Sequence, residues 1–351
     1  MMRLTALLFV ALGLMLAGCS KKLPPGTIEL TYASPYAATH TFSRADIAWM
    51  KWIEAESHGH IRIKPYWGGS LLSSNENMLE IRHGVADIGM ITPMYARSAH
   101  LQRIQPSFYS GIRSIPDQVA VYKCLAEAFP AMNAEASGLH LLAIQGGNVP
   151  GILTRKRPIR TLADLKGLRL RAQEDTADVL RAFGADPVNM SMAEVYPAMA
   201  KGVIDGVVAP ADALKAVHLA DVGRYFSTLK VPRGAYPGRA MAQSLWERLS
   251  PADQDLFTRG ELVWEQAMNR ELDAALTAGE QYARAEKIEM VPMPPAEQAK
   301  FDALYRANAF RLGRTLKAYG IDGEPIARRA AALIAARQAG DTKTCETGRA
   351  S

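Results

Sequence analysis

Short segments with the pattern of β-strands alternate with helical segments along most of this chain. Residues 27–33 and 61–66 have the apolar pattern of strands, and residues 42–57 between them space their apolar side chains as a helix does. The same order returns at residues 76–92 and again from residue 138 to residue 209. Strands and helices that alternate in this way build parallel sheets with covering helices. The sequence therefore predicts an α/β fold.

A long helix is predicted in the second half of the chain. Ser250-Pro251-Ala252-Asp253 has the residues of a helix start, with serine at the N-cap and proline at the first helical position. Nothing breaks the helical pattern before Gly279, and the pattern can extend to Lys287. Such a helix, about 40 Å long at 1.5 Å per residue, is long enough to cross two domains. Residues 295–339, rich in alanine and arginine, predict terminal helices.

The N-terminal segment has the features of an export signal. Arg3 gives it a positive start, residues 4–16 are almost entirely apolar, and Leu16-Ala17-Gly18-Cys19 follows at once. The apolar run is shorter than the ~20 residues that span a bilayer. Because the cysteine placement resembles a bacterial lipobox, we expect residues 1–18 to be removed and Cys19 to be acylated, which anchors the chain to membrane lipid in the periplasm or cell envelope. The alternative is an ordinary signal peptide followed by a chance cysteine.

Composition limits the classes of partner. A hydrophobic content of 48% and a mean hydropathy of -0.07 describe a globular chain with a proper core. The formal net charge of +6 gives a mildly basic surface that attracts anionic solutes or anionic lipid. An exported chain without an aromatic-basic cluster is not expected to bind nucleic acid. Cys124 and Cys345 are the remaining cysteines, and their spacing leaves open whether they form a disulfide.

Motifs for catalysis are missing from the sequence. It contains no Gly-x-Ser-x-Gly elbow, no phosphate-binding glycine loop and no dinucleotide fingerprint. His58-Gly59-His60 has no third metal ligand nearby, which favours a solvated loop. Gly146-Gly147-Asn148 is typical of a turn after a strand, with an anion-binding nest of backbone amides as the alternative. We therefore expect no enzyme, no metal and no cofactor.

One strand ends in a candidate binding residue. Thr161 is placed to cap a short helix, after which Leu168-Arg169-Leu170-Arg171 alternates so that both arginines share one face. A solvated strand face would explain this pattern. The alternative is that Arg171, at the carboxyl end of the strand, faces the crevice where open α/β sheets bind ligands. A guanidinium there can hold a carboxylate through two parallel hydrogen bonds.

Several segments together resemble a known family. Their order along the chain is similar to that in the substrate-binding subunits of TRAP (tripartite ATP-independent periplasmic) transporters of the DctP type, and the likeness covers about residues 28–310. The segments are Gly68-Gly69-Ser70-Leu71-Leu72, Asn77-Met78-Leu79-Glu80, residues 84–90, residues 165–171, Phe183-Gly184-Ala185-Asp186-Pro187, residues 194–199 and Gly202-Val203-Ile204-Asp205-Gly206.

The resemblance implies a two-lobe periplasmic binding protein, type II-like, with a long hinge helix crossing the lobes and an inter-lobe ligand cleft. The domains expected on this basis are a signal peptide (1–18), a tether (19–27), lobe 1 (28–147, completed by about 236–265), lobe 2 (148–235, completed by C-terminal helices at about 266–340) and a tail (341–351). It implies as partners a small organic acid and the small and large membrane subunits of a TRAP transporter.

The resemblance also places the ligand. Arg171 occupies the position of the carboxylate-binding arginine of the family. Relatives that bind sialic acid have a second arginine in the segment that is residues 148–151 here, and a phenylalanine where this chain has Met192. Many relatives have a ligand-contacting asparagine where this chain has Ala209. These departures imply a different, less polar small acid.

The remaining candidate residues follow predicted strands in the family layout. Tyrosines are the more attractive, because each has an apolar face and a hydroxyl. The alternative for Asp212 is to cap the helix after Pro210. The candidates are Tyr36, Thr92, Tyr95, Asn148, Asp212 and Tyr236.

Other functions stay open at this stage. A ligand-binding sensor or a structural envelope lipoprotein could use the same fold, and a binding protein of an ABC transporter is a rival within the same class. A periplasmic enzyme has less support, because no catalytic constellation is found.

Overall fold

The computed structural model describes residues 24–112, 114–341 and 345, so the predicted signal peptide and Cys19 lie outside the described residues. The strands are β1 (Ile28–Ala33), β2 (Ile61–Tyr66), β3 (Ile88–Met90), β4 (Leu139–Gln145), β5 (Gly151–Thr154), β6 (Arg169–Arg171), β7 (Asp186–Val188), β8 (Gly206–Ala209), β9 (Tyr225–Ser227), β10 (Tyr236–Ala242) and β11 (Glu289–Val291).

Helices connect and cover these strands. The α-helices are α1 (Thr41–Glu56), α2 (Asn77–Arg82), α3 (His100–Ile104), α4 (Ile115–Ala128), α5 (Ala131–Ala134), α6 (Glu174–Ala182), α7 (Met192–Ala200), α8 (Ala213–Ala216), α9 (Gln243–Trp246), α10 (Pro251–Ala285), α11 (Pro295–Thr315) and α12 (Gly323–Gln338). Short 3-10 helices cover Pro93–Tyr95, Gln105–Tyr109, Leu162–Leu165, Leu219–Asp221 and Leu316–Tyr319. None of the helices in the described ranges is long and apolar enough to cross a membrane.

The strands form two sheets, one in each lobe. The first has the order β2-β1-β3-β10-β4 and the second the order β11-β9-β5-β8-β6-β7. The α/β two-lobe prediction is confirmed, but the expectation of purely parallel sheets is wrong for two strands. β10 runs antiparallel to β3 and β4, and β5 runs antiparallel to β8 and β9.

The direction of β5 and β10 follows from how the chain crosses between the sheets. β5 is the first strand after the crossing at residues 146–150, and β10 is the first after the crossing at residues 228–235. The other strands end at the side where the sheets face each other. A chain that enters a sheet from that side must therefore run opposite to them.

The long helix α10 joins both lobes. Ser250 caps it, since its hydroxyl accepts the backbone N–H of Asp253 at 3.2 Å, as the sequence predicts. Trp264 and Leu272 lie in the core beside the first sheet, whereas Ala283 lies in a core of the second. With 35 residues the helix is about 50 Å long, so it reaches from one lobe to the other.

Gly279 does not end this helix. A Cβ added at Gly279 would lie 2.3 Å from the carbonyl oxygen of Ala211 and 2.7 Å from Cα of Asp212. The missing side chain thus lets the helix lie directly against the segment that follows β8. The helix ends at Ala285, between the two limits that the sequence allows.

The terminal helices pack on different parts of the molecule. Phe301 and Tyr305 of α11 join the core beside the second sheet. Ile326 and Leu333 of α12 instead pack in a cluster with α4. The proposed lobe boundaries place all of residues 266–340 with lobe 2, and that division stays a prediction.

A disulfide links α4 to Cys345. Cys124 of α4 and Cys345 are bonded, with their Cα atoms 5.1 Å apart and a sequence separation of 221. The sequence left this pairing open. The bond holds Cys345 against α4.

Candidate functional site

A cleft of about 1060 Å³, counting the solvent-filled space at its mouth, lies between the two sheets. The segments that follow β1, β3, β6 and β8 line it, together with the second crossing segment. This is the side on which parallel strands end, where open α/β sheets bind their ligands. Six predicted site residues line this cleft: Tyr36, Thr92, Tyr95, Arg171, Asp212 and Tyr236.

Arg171 lies at the end of β6 with 2% of its surface exposed. Its Nε donates to the carbonyl oxygen of Met190 at 2.9 Å, and its Nη2 donates to the hydroxyl of Tyr95 at 2.7 Å. Among the described residues, no carboxylate lies within 4.0 Å of its guanidinium. These contacts fix the plane of the guanidinium and leave Nη1 and one N–H of Nη2 for another acceptor.

Tyr95 approaches Arg171 from the other lobe. It ends the 3-10 helix Pro93–Tyr95 that follows β3, and Pro93 favours the start of that turn. The guanidinium carbon of Arg171 lies 5.9 Å from the centre of the Tyr95 ring. The hydrogen bond between these side chains therefore joins the first lobe to the second across the cleft.

Thr92 lines the cleft, but its hydroxyl is already engaged. It accepts from Nδ2 of Asn77 at 2.6 Å and donates to the carbonyl oxygen of Ser74 at 2.5 Å. Its backbone N–H donates to Oδ1 of Asn77 at 3.2 Å. Thr92 thus holds the loop before Tyr95 in place.

Asn148 is the predicted site residue that the structure does not bring to the cleft wall. Its Nδ2 donates to Oδ1 of Asp212 at 3.1 Å and to the carbonyl oxygen of Leu272 in α10 at 3.0 Å. Asn148 therefore holds the carboxylate of Asp212 in place without lining the cleft itself. The alternative role of Asp212 as a helix cap is not seen, because its side chain makes no capping hydrogen bond to α8. Burial raises the pKa of Asp212, and the hydrogen bond from Asn148 acts in the opposite direction.

Aromatic rings form one wall of the cleft. Tyr36 stacks on His40 with ring centres 4.0 Å apart, and Phe42 meets Tyr36 edge-on at 5.5 Å. Nδ1 of His40 accepts the backbone N–H of Phe42 at 3.2 Å and so caps α1. Burial, with smaller effects from two arginines, lowers the pKa of His40 to about 3, so this ring is neutral at physiological pH. The wall presents flat, uncharged surfaces.

Sequence reasoning missed two charged residues of the cleft, Arg233 and Asp175. Arg233 lies in the second crossing segment rather than at a strand end, so the strand-end signal could not find it. Asp175 lies in the first turn of α6. Its Oδ2 accepts from the hydroxyl of Tyr305 at 2.8 Å, whereas its buried Oδ1 has no hydrogen-bond partner. Burial raises the pKa of Asp175 to about 6.

No group of three His, Cys, Asp or Glu side chains that could hold a metal ion is found among residues 24–112, 114–341 and 345. His58 and His60 belong to the turn between α1 and β2, where His58 adopts a φ of 51°. Nε2 of His60 lies 3.6 Å from a carboxylate oxygen of Asp253. The anion nest considered for residues 146–148 is also partly occupied, since the backbone N–H of Gly147 donates to Gln118.

The chain is similar to known solute-binding proteins. The model of bacterial extracellular solute-binding protein family 7, DctP, matches residues 33–308. A solute-binding protein of Roseobacter denitrificans is 33% identical over 108 residues, which are 30% of this chain and 33% of that protein. The chain spans 33%, 54% and 61% of the lengths of three curated relatives.

Solved structures show the same fold. A TRAP solute-binding protein from Rhodoferax ferrireducens T118, in complex with copurified benzoate, matches with a TM-score of 0.80 and 22% identity, covering 90% of this chain and 99% of that one. A marine metagenome TRAP solute-binding protein specific for aromatic acid ligands, in complex with metahydroxyphenylacetate, has a TM-score of 0.78 and 20% identity, covering 88% and 98%. At these identities the likeness concerns the fold alone.

Proposed function

Since the chain belongs to bacterial extracellular solute-binding protein family 7, the DctP family of TRAP transporters, we propose that it binds a small organic acid through Arg171. The complex then delivers this acid to the membrane subunits of the transporter. Family members are periplasmic solute-binding proteins, and the family is one of transporter subunits rather than enzymes. The ligand is accordingly released unchanged.

The main support for this proposal is the buried guanidinium of Arg171, which no carboxylate of the described residues neutralises. Arg171 is 2% exposed, and within the described part of the chain no protein carboxylate pairs with it. An arginine removed from water and left without an anion costs free energy, which a bound carboxylate offsets. The free Nη1 and the remaining N–H of Nη2 can hold both carboxylate oxygens. The other contacts of Arg171 keep this pair of donors oriented before the ligand arrives.

Closure of the lobes would complete the site. The two crossing segments and α10 are the connections about which the lobes can rotate, as hinges commonly do around ligands. Closing excludes water from the ion pair, which strengthens it in the less polar surroundings. A micromolar ligand requires only ~8 kcal/mol of binding free energy. One bidentate contact together with burial of the ligand body against the cleft wall can supply it.

The aromatic wall favours acids with a flat, apolar body. Tyr36, Phe42 and Tyr236 offer ring faces and edges, and His40 beside them is neutral. Aromatic pairs gain free energy beyond simple area burial when the rings meet offset or edge-on. Benzoate and metahydroxyphenylacetate, the ligands of the two related structures, are acids of this shape. We therefore propose aromatic or similarly apolar carboxylates as the ligand class.

Anchoring through Cys19 is a separate part of the proposal. It is supported by Leu16-Ala17-Gly18-Cys19 after a short apolar run with a positive start. Acylation would hold the binding protein at the membrane surface near its permease. Expressed with its own leader, the wild-type protein is expected in the detergent phase after phase separation and Cys19→Ala in the aqueous phase. Equal partition of both proteins would contradict anchoring.

A thermal-shift screen tests the binding function. The leaderless protein is heated with small carboxylates and with the primary amide of each acid. A ligand at a hundred times its Kd adds ~2.7 kcal/mol to the free energy of unfolding, which is a clear rise in melting temperature. Acids are expected to stabilise and their amides are not. Stabilisation by the amides to the same extent would contradict carboxylate recognition.

A further inference from the structure

The outward side of α11 carries a concentration of positive charge. Residues 303–318 contain four basic residues and no acidic one. The long helix α10, by contrast, contains seven acidic and three basic residues. The positive charge of the chain is therefore not spread evenly over its helices. The four basic residues, all exposed, are Arg306, Arg311, Arg314 and Lys317.

Helical spacing places these four side chains on one side of α11. Phe301 and Tyr305 are buried in the core beside the second sheet, and Leu312 is buried in the cluster around α4. With 3.6 residues per turn, the basic residues fall on the opposite side of the helix and of the turn that continues it. They extend over about 17 Å at 1.5 Å per residue. We call the surface formed by Arg306, Arg311, Arg314 and Lys317 the basic face.

One member of the basic face has a close acidic partner. Arg311 forms an ion pair with Asp178 of α6. Within residues 24–112, 114–341 and 345, no carboxylate lies within 4.0 Å of Arg306, Arg314 or Lys317. The basic face therefore keeps most of its charge.

Glu324 at the start of α12 lies near two of these cations but does not neutralise them. Its pKa is lowered first by the hydrogen bond from Arg328, whose Nη2 lies 2.6 Å from the carboxylate, and also by the charges of Arg314 and Lys317. One carboxylate thus lies among three cations. The surface at this end of α11 has a positive net charge.

Aromatic rings lie beside the basic face. Tyr319 ends the 3-10 helix that continues α11, and it is 56% exposed. Its ring stacks on His100 with ring centres 3.5 Å apart. Phe310, on the same side of α11 as the cations, is partly exposed. Cations on one side of a helix, with aromatic rings beside them, are typical of helices that lie on a membrane surface.

We propose that the basic face of α11 docks on the anionic headgroups of a lipid bilayer. The negative potential of such a surface attracts exposed cations, and each one near it strengthens binding by about fivefold. The lipid tether proposed at Cys19 would hold the protein close enough for this weak contact to form repeatedly. The basic face would then turn α11 towards the bilayer.

Docking by this surface is independent of the ligand. The four residues of the basic face lie outside the lining of the cleft. Failure of carboxylate binding by Arg171 would therefore leave the docking untouched, and failure of the docking would leave the proposed carboxylate binding untouched.

Co-sedimentation of the leaderless protein with lipid vesicles tests the docking without the tether. One set of vesicles consists of phosphatidylcholine, and the other contains phosphatidylglycerol as an anionic component. The protein is expected to bind the anionic vesicles at low ionic strength and not the neutral ones. Binding should be lost near 1 M salt, where charges are screened beyond ~3 Å.

The triple variant Arg306→Glu/Arg314→Glu/Lys317→Glu should bind anionic vesicles about fiftyfold or more weakly, because three attractive charges become repulsive. The single variants Arg314→Gln and Lys317→Gln should each bind about fivefold more weakly. Thermal melts without vesicles show whether each variant is folded, and the single variants decide the question if the triple variant is not.

A matched control changes the net charge by the same amount at other exposed positions. Lys51→Glu/Lys156→Glu/Arg270→Glu places its substitutions on α1, in the loop after β5 and on α10. It should bind anionic vesicles within about threefold of the wild type, since charges away from the contact are screened.

Two results would overturn the docking. Equal weakening in the two triple variants would show that net charge, rather than the basic face, determines binding. No binding of the wild type to anionic vesicles at low ionic strength would exclude a lipid surface as the occupant and leave the basic face for an acidic protein surface.

Discussion

Nη2 of Arg171 donates a 2.7 Å hydrogen bond to the hydroxyl of Tyr95, and this contact joins the end of β6 in one lobe to the segment after β3 in the other. The same contact orients the guanidinium toward the cleft. A single hydroxyl thus contributes both to the direction of the proposed ligand-binding group and to the approach of the lobes.

Tyr95→Phe removes this acceptor and keeps the ring. We expect the Kd for a bound carboxylate to rise by about fivefold to twentyfold, since the guanidinium is no longer held in its binding orientation before the ligand arrives. The melting temperature of the ligand-free protein should change little, because the hydroxyl is only partly buried. Titration calorimetry measures the first quantity and a thermal melt the second. An unchanged Kd would show that Tyr95 does not orient Arg171 for binding.

Asp175 is expected to make the free energy of unfolding depend on pH. Burial raises the pKa of Asp175 to about 6, so the folded protein holds this proton more tightly than the unfolded chain does. The stabilisation is complete below the ordinary aspartate pKa of ~4, and it is lost as the pH rises through about 6. Tyr305 donates to Oδ2, and asparagine can still accept that bond.

Asp175→Asn should therefore be more stable than the wild type at pH 7.5, by about 1–3 kcal/mol, with the difference shrinking toward pH 4. Urea unfolding of both proteins across this pH range measures the difference directly. A difference in the free energy of unfolding that stays the same at all pH values would contradict the raised pKa of Asp175.

A buried ion pair supports the first lobe beneath the cleft. Arg239 of β10 donates to Asp46 of α1 from Nε at 2.7 Å and from Nη2 at 3.0 Å. Tyr32 and Trp264 donate to the same carboxylate at 2.6 Å and 2.8 Å. Both members of the pair are almost fully buried. The carboxylate thus links β1, α1, β10 and α10.

Asp46→Ala leaves the Arg239 charge buried without an anion, and we expect a loss of about 3–5 kcal/mol in the free energy of unfolding. The double variant Asp46→Ala/Arg239→Met should recover part of this loss, because the uncompensated charge is gone. Chemical denaturation of the three proteins provides the comparison. A single variant as stable as the wild type would show that the pair does not hold these elements together.

The disulfide is expected to stabilise the native state. Cys124→Ser should lower the free energy of unfolding by about 2–4 kcal/mol, because the unfolded chain loses a constraint between distant residues. A reductant should lower the melting temperature of the wild type and leave that of Cys124→Ser unchanged. Free thiols that titrate at both cysteines in the untreated, natively folded protein would contradict the bond.

The sequence was informative where a local rule determines structure. Ser250 and Pro251 begin α10 as their capping chemistry requires, and Thr161 with Asp164 caps the 3-10 helix before β6. The end of α10 depends on tertiary packing instead. Gly279 lies within the helix rather than at its end, and its missing side chain leaves room for the carbonyl group of Ala211. The contact between Gly279 and Ala211 cannot be predicted from the residues next to Gly279 in the sequence.

The directions of the strands and the residues that line the cleft were also only partly predictable from the sequence. The antiparallel direction of β5 and β10 follows from chain crossings, which a hydrophobic pattern does not record. Arg171 was expected to face the cleft from its place at a strand end, and it lines the cleft. The same reasoning did not point to Arg233, which also lines the cleft but lies in a crossing segment. Asn148 was placed at the ligand, but its amide donates to Asp212 and to α10. The pairing of Cys124 with Cys345 likewise depends on a contact between residues far apart in sequence.

Carboxylate binding by Arg171 is tested by calorimetric titration of an acid from the screen into three proteins: wild type, Arg171→Met and Arg169→Met. Arg169 begins the same strand, is exposed and pairs weakly with Asp186 at 3.6 Å, so it controls for the loss of one arginine from β6. We expect Arg169→Met to bind within about twofold of wild type, and Arg171→Met to bind about a hundredfold more weakly or not at all. An Arg171→Met protein that is folded and binds the acid with the wild-type Kd would contradict carboxylate binding by Arg171.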